Sequence, residues 1–164
     1  MRHCFFIFDY DDDLARARHI ESLNLAVATA AAGFDDDADW KAAVAKGGDA
    51  VKALIDNAIL ATSATVVLIG ERTAERDYVD YAIERSIKRQ NGILGIFVHD
   101  IPDASGATAA KGRAPYLAQA AERLEAHGYD THDWDEGKFA GWIEDAATGW
   151  KAFARPRPLN RLGA

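Results

Sequence analysis

The sequence predicts one α/β domain, a three-layer parallel sheet of about five strands flanked by helices. Its short apolar runs contain almost no polar residue, which is typical of strands covered on both faces. Stretches with apolar residues at helical spacing separate these runs, and this alternation indicates parallel strands joined by helices. With 164 residues, 49% of them hydrophobic and 27% charged, the chain has the size and composition of one packed domain. We expect the domain to span residues 1–154 and a C-terminal tail to follow at 155–164.

The first strand is the apolar run Cys4–Phe8, which ends at a cluster of four aspartates between Asp9 and Asp13. Asp13 is a suitable N-cap for the helix that follows, since an aspartate side chain can accept hydrogen bonds from the first free N–H groups. A loop around residues 33–39 comes next, and any second strand is expected to be short or irregular. Asp49, after two glycines, is the candidate N-cap of the next helix.

The run Ala64–Gly70 is the most strand-like segment because three β-branched residues in succession suit a central strand. A helix is expected to begin at Thr73 or Asp77 and to end with Asn91-Gly92 as its C-cap. The remaining elements are expected in this order: strand 93–99, helix 115–127, strand 129–134 and a final amphipathic helix around 139–150.

Charge and cysteine content exclude several classes of protein. The net charge of −7 argues against nonspecific nucleic-acid binding, which requires cationic side chains to neutralise phosphates. The single cysteine, Cys4, can form neither an internal disulfide nor a cysteine cluster for zinc. No apolar run has the roughly 18 residues that a membrane span needs, and the first residues are too short a run for a signal peptide. We therefore expect a cytoplasmic protein without nucleic-acid or membrane partners.

In an open parallel sheet, ligands bind at the carboxyl ends of the strands. Three loops are expected to meet at this edge: Asp9–Asp13, Gly70–Arg76 and His99–Asp103. For any single aspartate of the first loop, a turn or cap role is as plausible as a functional one. The histidines show no metal-ligand spacing, so we predict no metal site.

Two phosphate chemistries fit the first loop only in part. A phosphate-cradling loop would present glycines and backbone N–H groups rather than four carboxylates. Asp9 and Asp11 form the Asp-x-Asp motif of Mg²⁺-dependent phosphohydrolases, in which one aspartate is the nucleophile and the other the acid/base. Gly70 stands where such an enzyme needs a hydroxyl and where a receiver domain needs its phosphorylated aspartate. A phosphohydrolase is therefore the third hypothesis.

Several segments together resemble one known family. They are Thr65–Gly70, the helix segment Arg76–Ile87, Asn91–Ile96, Phe6–Phe8 with Tyr10, Asp13 and Arg16, and the later pairs Asp133-Trp134 and Trp142-Ile143. These segments resemble the TIR-like proteins of bacteria and archaea, the group that includes the signalling subunit of Thoeris anti-phage defence. The resemblance covers residues 1–147 and implies a flavodoxin-like fold.

The resemblance also implies NAD⁺ chemistry. Members of the family cleave the bond between nicotinamide and ribose, and the product is ADP-ribose, a cyclic isomer or a conjugate. Such a protein would use NAD⁺ as substrate without a permanently bound cofactor. Its product would act as a second messenger on a separate effector protein, after a phage protein trigger, and homo-oligomerisation is a further expectation.

One position departs from the family pattern. The family has a glutamate within a Trp/Tyr-Val-x-x-Glu-Ile arrangement, and the matching position here is Ala82. Either the chain is an engineered Glu→Ala variant or it is a natural member that binds without turnover, and the intact flanking residues favour the first explanation. Glu84 is a poor substitute because it lies about 200° further around the helix, where we expect it to pair with Lys88.

The resemblance and the strand ends together define the candidate site. The catalytic candidates are the position of Ala82, Asp9 and Asp100, and the substrate-binding candidates are Phe8, Tyr10, Asp11, Tyr78 and His99. Phe8, Asp9, Tyr10, Ala82, His99 and Asp100 are expected to line one pocket. We expect Arg16 to pair with Asp12 or Asp13 as a structural clamp. The alternative to an NAD⁺-cleaving enzyme is a non-catalytic TIR-like module that binds proteins or nucleotides.

Overall fold

A five-stranded parallel sheet organises the chain in the computed structural model, which describes residues 2–29, 37–115 and 129–153. The strand order is β2-β1-β3-β4-β5, and all four pairings are parallel. The strands are β1 (His3–Ile7), β2 (Val27–Thr29), β3 (Ala64–Ile69), β4 (Gly92–Phe97) and β5 (Asp130–Asp133). The predicted α/β fold class, the short second strand and the central place of β3 are confirmed.

Helices connect β1 to β2, β2 to β3 and β3 to β4. They are α1 (Tyr10–Ser22), α2 (Asp37–Lys46), α3 (Gly48–Ile59), α4 (Asp77–Lys88) and α5 (Glu136–Phe153), and a 3₁₀ turn at Thr73–Glu75 precedes α4. The final strand and the final helix are confirmed. The predicted helix at 115–127, apart from its first residue, and the tail at 155–164 lie outside the described residues.

The two faces of the sheet carry different helices. On β3, the Thr65 hydroxyl lies 2.7 Å from that of Ser86 on α4. On β1, Phe6 is the register partner of Val66 and stacks on Phe139 of α5. Because neighbouring residues of a strand point to opposite faces, α4 and α5 lie on opposite sides of the sheet. Every residue of β3 is buried between them, which explains its unbroken apolar sequence.

The structure corrects two helix starts. Helix α1 begins at Tyr10, and its N-cap is Asp9 rather than Asp13, because Asp9 leaves β1 with an extended backbone and its side chain accepts hydrogen bonds from the next two free N–H groups. Helix α3 begins at Gly48 after Gly47, whose φ of 113° suits glycine. Asp49 therefore lies in the first turn of the helix and is not its cap.

Three further boundaries differ from the prediction. Helix α2 was not predicted, because its apolar residues are mostly small alanines and only Trp40 marks a strongly buried position. Helix α4 ends at Lys88 with Arg89 as its C-cap, and Gln90 turns the chain with a φ of 62°, so Asn91-Gly92 is not the cap. Gly92 already belongs to β4, where a Cβ atom would collide with the backbone of Ala146 on α5. Strand β4 ends at Phe97, two residues before His99.

Candidate ligand-binding site

The three predicted loops do meet at the carboxyl edge of the sheet. Arg76 Nε lies 2.9 Å from an Asp9 oxygen, which joins the loop after β3 to the end of β1. Arg72 makes two 2.8 Å hydrogen bonds to the two oxygens of Asp12. Arg16 of α1 donates to the Ile101 carbonyl at 2.6 Å, which joins α1 to the loop after β4.

Asp9 is fully buried, and both of its oxygens are used. One oxygen accepts hydrogen bonds from the N–H groups of Asp11 and Asp12 at 3.0 and 3.4 Å, and the other pairs with Arg76. Arg76 is therefore held against the cap of α1, and α4 begins one residue later. This geometry gives Asp9 a structural task at the point where β1, α1 and α4 meet.

Tyr78 makes a second connection at the same point. Its hydroxyl accepts a hydrogen bond from the Tyr10 N–H at 3.0 Å and donates one to the Phe8 carbonyl at 3.2 Å. Burial raises the pKa of Tyr78 well above its usual value, so the hydroxyl keeps its proton. The first turn of α4 is thereby fixed to the end of β1.

A buried ion pair fills the crevice beside these contacts. Arg16 and Asp13 are almost completely buried and lie 2.8 Å apart, which confirms the predicted clamp. Arg16 also donates to the carbonyls of Ile101 and Ala107 and so holds the 101–112 segment across the sheet edge. A Cβ atom on Gly70 would collide with the Asp13 carboxylate. Protein atoms therefore occupy this crevice at the end of β3.

An aromatic cavity of about 490 Å³ lies on the other side of this edge, between the starts of α1, α3 and α4 and the length of α2. This volume lies within the range of small-molecule sites. Its walls are formed by Tyr10, Asp11, Trp40, Val44, Gly47, Gly48, Val51, Lys52, Asp77, Tyr78 and Tyr81. We call it the aromatic cavity below.

Stacked rings form the deep wall of the aromatic cavity. Trp40 lies parallel to Tyr10, with ring centres 4.3 Å apart, and meets Tyr78 edge to face at 4.8 Å. Phe8 stacks behind Tyr10 at 4.6 Å. Trp40 and Tyr10 are buried, so the cavity presents parts of fixed rings rather than mobile side chains. Such a wall suits a flat ring as ligand.

The rim of the aromatic cavity is charged. Lys52 of α3 places its ammonium group 5.3 Å from the centre of the Tyr81 ring. Asp11 and Asp77 also line the cavity, and Asp11 lies 3.5 Å from Arg76. A ligand that combines a flat ring with a phosphate would find both a stacking surface and a positive charge here.

The structure does not bring the eight predicted site residues into this one cavity. Tyr10, Asp11 and Tyr78 line it. Phe8, Asp9 and Ala82 are fully buried behind its walls, and none of the three lines it. The aromatic cavity therefore does not contain these three: the Tyr10 ring stacks on Phe8 at the strand end, and Ala82 is buried on α4. The catalytic or binding role of each residue stays a prediction.

His99 and Asp100 do not line the aromatic cavity either. The His99 side chain is 12% exposed, Asp100 is 81% exposed, and His99 Nε2 lies 3.4 Å from the Asp100 carboxylate. Both residues follow β4, and β3 separates β4 from β1, after which Tyr10 and Asp11 of the cavity lie. Their predicted roles are likewise untested.

Ala82 lies on α4, one turn beyond Tyr78 and next to Tyr81. Its carbonyl accepts a 2.7 Å hydrogen bond from the Ser86 hydroxyl, which is the group that contacts Thr65 on β3. Glu84 points elsewhere and pairs with Lys88 at 2.8 Å, as predicted. The helix therefore turns position 82 toward the interior and position 84 toward solvent.

Sequence reasoning missed most of the cavity wall. The residues it missed are Trp40, Val44, Gly47, Gly48, Val51, Lys52, Asp77 and Tyr81. The Gly-Gly pair, seven residues after Trp40, is a signal for the helix boundary at Gly47 and Gly48 alone. The packing of α2 and α3 against α4, which brings the other residues to the cavity, has no local sequence signal.

Within residues 2–29, 37–115 and 129–153, no helix is long and apolar enough to cross a membrane. In the same ranges, no three His, Cys, Asp or Glu side chains are grouped as metal ligands would be.

The strand order and the helices on both faces of the sheet define a flavodoxin-like α/β domain. The chain belongs to the family described as Thoeris protein ThsB, TIR-like domain, whose sequence profile matches residues 5–103. This match includes every residue of the aromatic cavity and ends before β5.

A relative from Bacillus cereus (strain MSX-D12), provisionally named cyclic ADP-D-ribose synthase ThsB1, is 34% identical over 121 residues. The aligned part covers 70% of this chain and 61% of the relative. The chain therefore spans about three fifths of that relative's length.

Proposed function

We propose that this chain is a TIR-like domain that binds NAD⁺ in the aromatic cavity, in a family whose members convert NAD⁺ into an ADP-ribose-derived messenger, cyclic or conjugated, for anti-phage defence. The observation that carries the proposal is the aromatic cavity on α4, the helix that also bears position 82. Membership of the ThsB family and the name of the Bacillus cereus relative support the choice of NAD⁺ as ligand.

The proposed reaction breaks the bond between ribose C1′ and the nicotinamide nitrogen. Nicotinamide leaves with the bonding electron pair, and positive charge develops on the ribose as in glycoside cleavage. The new bond to C1′ is formed by a hydroxyl or ring nitrogen of the same molecule for a cyclic product, by a nucleophile of a second small molecule for a conjugate, or by water for ADP-ribose. The attacking group releases one proton to solvent. A carboxylate beside the ribose would stabilise the developing charge.

The residues of the aromatic cavity match the parts of this substrate. Trp40 and Tyr78 offer ring atoms to a flat base, and Tyr10, whose two faces stack on Phe8 and Trp40, offers its ring edge. Lys52 offers a positive charge to the diphosphate. Asp11 and Asp77 lie at the rim, where they would attract the cationic nicotinamide ring. Asp9 acts in this proposal by holding Arg76 and the start of α1, without touching the substrate.

Position 82 determines whether the bound substrate reacts. A helical side chain leans toward the N-terminal end of its helix, so a glutamate at position 82 would extend toward Tyr78 and the cavity. Ala82 has only a methyl group and cannot stabilise a cationic ribose. We therefore propose that the form with glutamate is the enzyme and that this chain binds NAD⁺ with little or no turnover.

A non-catalytic binding module is the second candidate, and one observation favours it. Ala82 is completely buried, and its carbonyl takes part in the link from Ser86 to Thr65. A helix packed this closely around a small side chain suits a natural protein that has no glutamate. The third hypothesis, the Mg²⁺-dependent phosphohydrolase, has no such support, because Arg76 and two backbone N–H groups occupy the Asp9 carboxylate.

The proposal also includes three kinds of partner. They are an effector protein that responds to the product, a phage protein that acts as trigger, and a second copy of this chain. These partners follow from the resemblance and from family membership. The cytoplasm is the proposed location, since NAD⁺ and a phage trigger would both be present there.

The test is mass spectrometry of NAD⁺ incubated with this chain, with Ala82→Glu and with Ala82→Gln, with and without extract from infected cells. Glutamine matches the size of glutamate without its charge, so it controls for the cost of placing a longer side chain in a buried position. We expect nicotinamide and an ADP-ribose-type product from Ala82→Glu alone. If thermal melting shows all three proteins folded and none releases nicotinamide, the binding module replaces the enzyme.

A further inference from the structure

One wall of the aromatic cavity is held in place from outside the cavity. The Tyr81 hydroxyl lies 3.0 Å from each oxygen of Asp56 on α3 and donates to that carboxylate. Arg85, one turn after Tyr81 on α4, donates to the same carboxylate at 2.7 Å. Asp56 therefore receives two donors from α4 and fixes the end of the Tyr81 ring.

Helix α3, which carries Asp56, also contacts the face of the Tyr81 ring. Lys52 lies one turn before Asp56 on α3, and its ammonium group is 5.3 Å from the ring centre. Both Lys52 and Tyr81 line the aromatic cavity, whereas neither Asp56 nor Arg85 does so. The two groups on α3 thus hold one ring, at its hydroxyl and over its face.

We propose that Asp56 is a positioning residue that sets the affinity of the aromatic cavity for NAD⁺ by holding Tyr81 against Lys52. This inference rests on the proposed function. Asp56 and Arg85 neutralise each other, which leaves the charge of Lys52 available to a phosphate. A tyrosine without its fixed hydroxyl would lose its orientation and with it part of the wall against which the substrate packs.

An ion pair such as Asp56–Arg85 could also serve only to hold α3 and α4 together. A matched control is therefore needed to separate this structural role from the positioning of Tyr81. The Glu84–Lys88 pair on α4 has nearly the same length, 2.8 Å, and is about half exposed, away from the cavity. Glu84→Gln removes a charge from α4 at a residue that does not line the cavity. Asp56→Asn removes a charge from α3 beside the Tyr81 hydroxyl and weakens that contact, because a neutral amide oxygen replaces the carboxylate as acceptor.

The test measures NAD⁺ affinity by isothermal titration calorimetry for the unsubstituted chain, Asp56→Asn, Tyr81→Phe, the double variant and Glu84→Gln. We expect a Kd about 3- to 10-fold higher for Asp56→Asn and for Tyr81→Phe, the range that one net hydrogen bond supports. The double variant should be no weaker than the weaker single variant, because both changes act on the same contact. Glu84→Gln should bind like the unsubstituted chain.

The other possible results contradict either the role of Asp56 or the proposed function, and they can be told apart. Additive losses in the double variant, or equal losses in Glu84→Gln, would reduce Asp56 to a structural tie. An unchanged Kd in Asp56→Asn would refute the inference and leave the proposed function standing. No NAD⁺ binding by the unsubstituted, folded chain would refute the proposed function and the inference with it.

Discussion

Two regions at the carboxyl edge of the sheet differ in what fills them. On one side, the Arg16–Asp13 ion pair and the 101–112 segment occupy the crevice at the end of β3. On the other side, the space between α2, α3 and α4 is lined by rings and remains as the aromatic cavity. Topology alone would place a ligand site at the strand ends, whereas the aromatic cavity lies among the helices.

The comparison shows that the charged pair stabilises the fold, whereas the aromatic surface leaves a cavity open to a ligand. Arg16 of the buried pair donates to the carbonyls of Ile101 and Ala107 and so holds a loop, which is a structural task. The aromatic cavity combines a fixed apolar wall with charged groups at its rim, which is the composition of a ligand site. Substitutions in the first region should change stability, and substitutions in the second should change binding.

The largest expected effect is on stability. Arg16→Ala removes the buried cation and leaves the Asp13 carboxylate without its ion-pair partner, which we expect to lower the free energy of unfolding by about 3–5 kcal/mol. Arg18→Ala, an exposed position on the same helix, should change it by less than about 0.5 kcal/mol. Urea unfolding followed by circular dichroism measures both. Equal effects of the two variants would contradict the assignment of Arg16 as a clamp.

The second largest expected effect is a loss of NAD⁺ affinity when the aromatic cavity is blocked. Val44 lines the aromatic cavity and is 53% exposed, so Val44→Trp should block the cavity without disturbing the core. We expect at least a tenfold loss of NAD⁺ affinity, about 1.4 kcal/mol, by calorimetry. Leu60→Trp is the matched control, since Leu60 is 56% exposed and lies outside the cavity. Unchanged binding in Val44→Trp would place the ligand elsewhere.

The strands and most helices could be predicted because their apolar residues form unbroken runs or helical stripes. Helix α2 could not, since its alanines give little contrast between its two faces. The cap of α1 was misplaced because the first loop contains four aspartates that are locally equivalent, and only the direction of the chain leaving β1 selects Asp9.

The candidate site was predicted in part. Tyr10, Asp11 and Tyr78 were found through their places at strand and helix ends, and they line the aromatic cavity. Trp40 and Lys52 were missed because their position depends on how α2 and α3 pack against α4, which no local pattern reveals. Ala82 was found by comparison with a family motif and is buried next to the cavity wall.

The smallest expected effect is a change in acid stability. The Arg72 guanidinium holds the pKa of Asp12 below its usual value. Because this pKa is lower in the folded than in the unfolded chain, the Asp12–Arg72 pair stabilises the fold above the unfolded pKa of about 4 and is lost as the pH falls through the folded pKa. Asp12→Asn should therefore flatten the fall in stability below about pH 4, measured by urea unfolding at each pH. A steeper fall in the variant would have the wrong sign.

We propose that NAD⁺ binds in the aromatic cavity and not in the crevice at the end of β3. Hydrogen–deuterium exchange with mass spectrometry, with and without NAD⁺, tests it most directly. With NAD⁺ present, we expect slower exchange in peptides covering 40–52 and 77–82 and no change in 99–112. Protection confined to 99–112 would contradict it and would place the ligand beside His99 and Asp100.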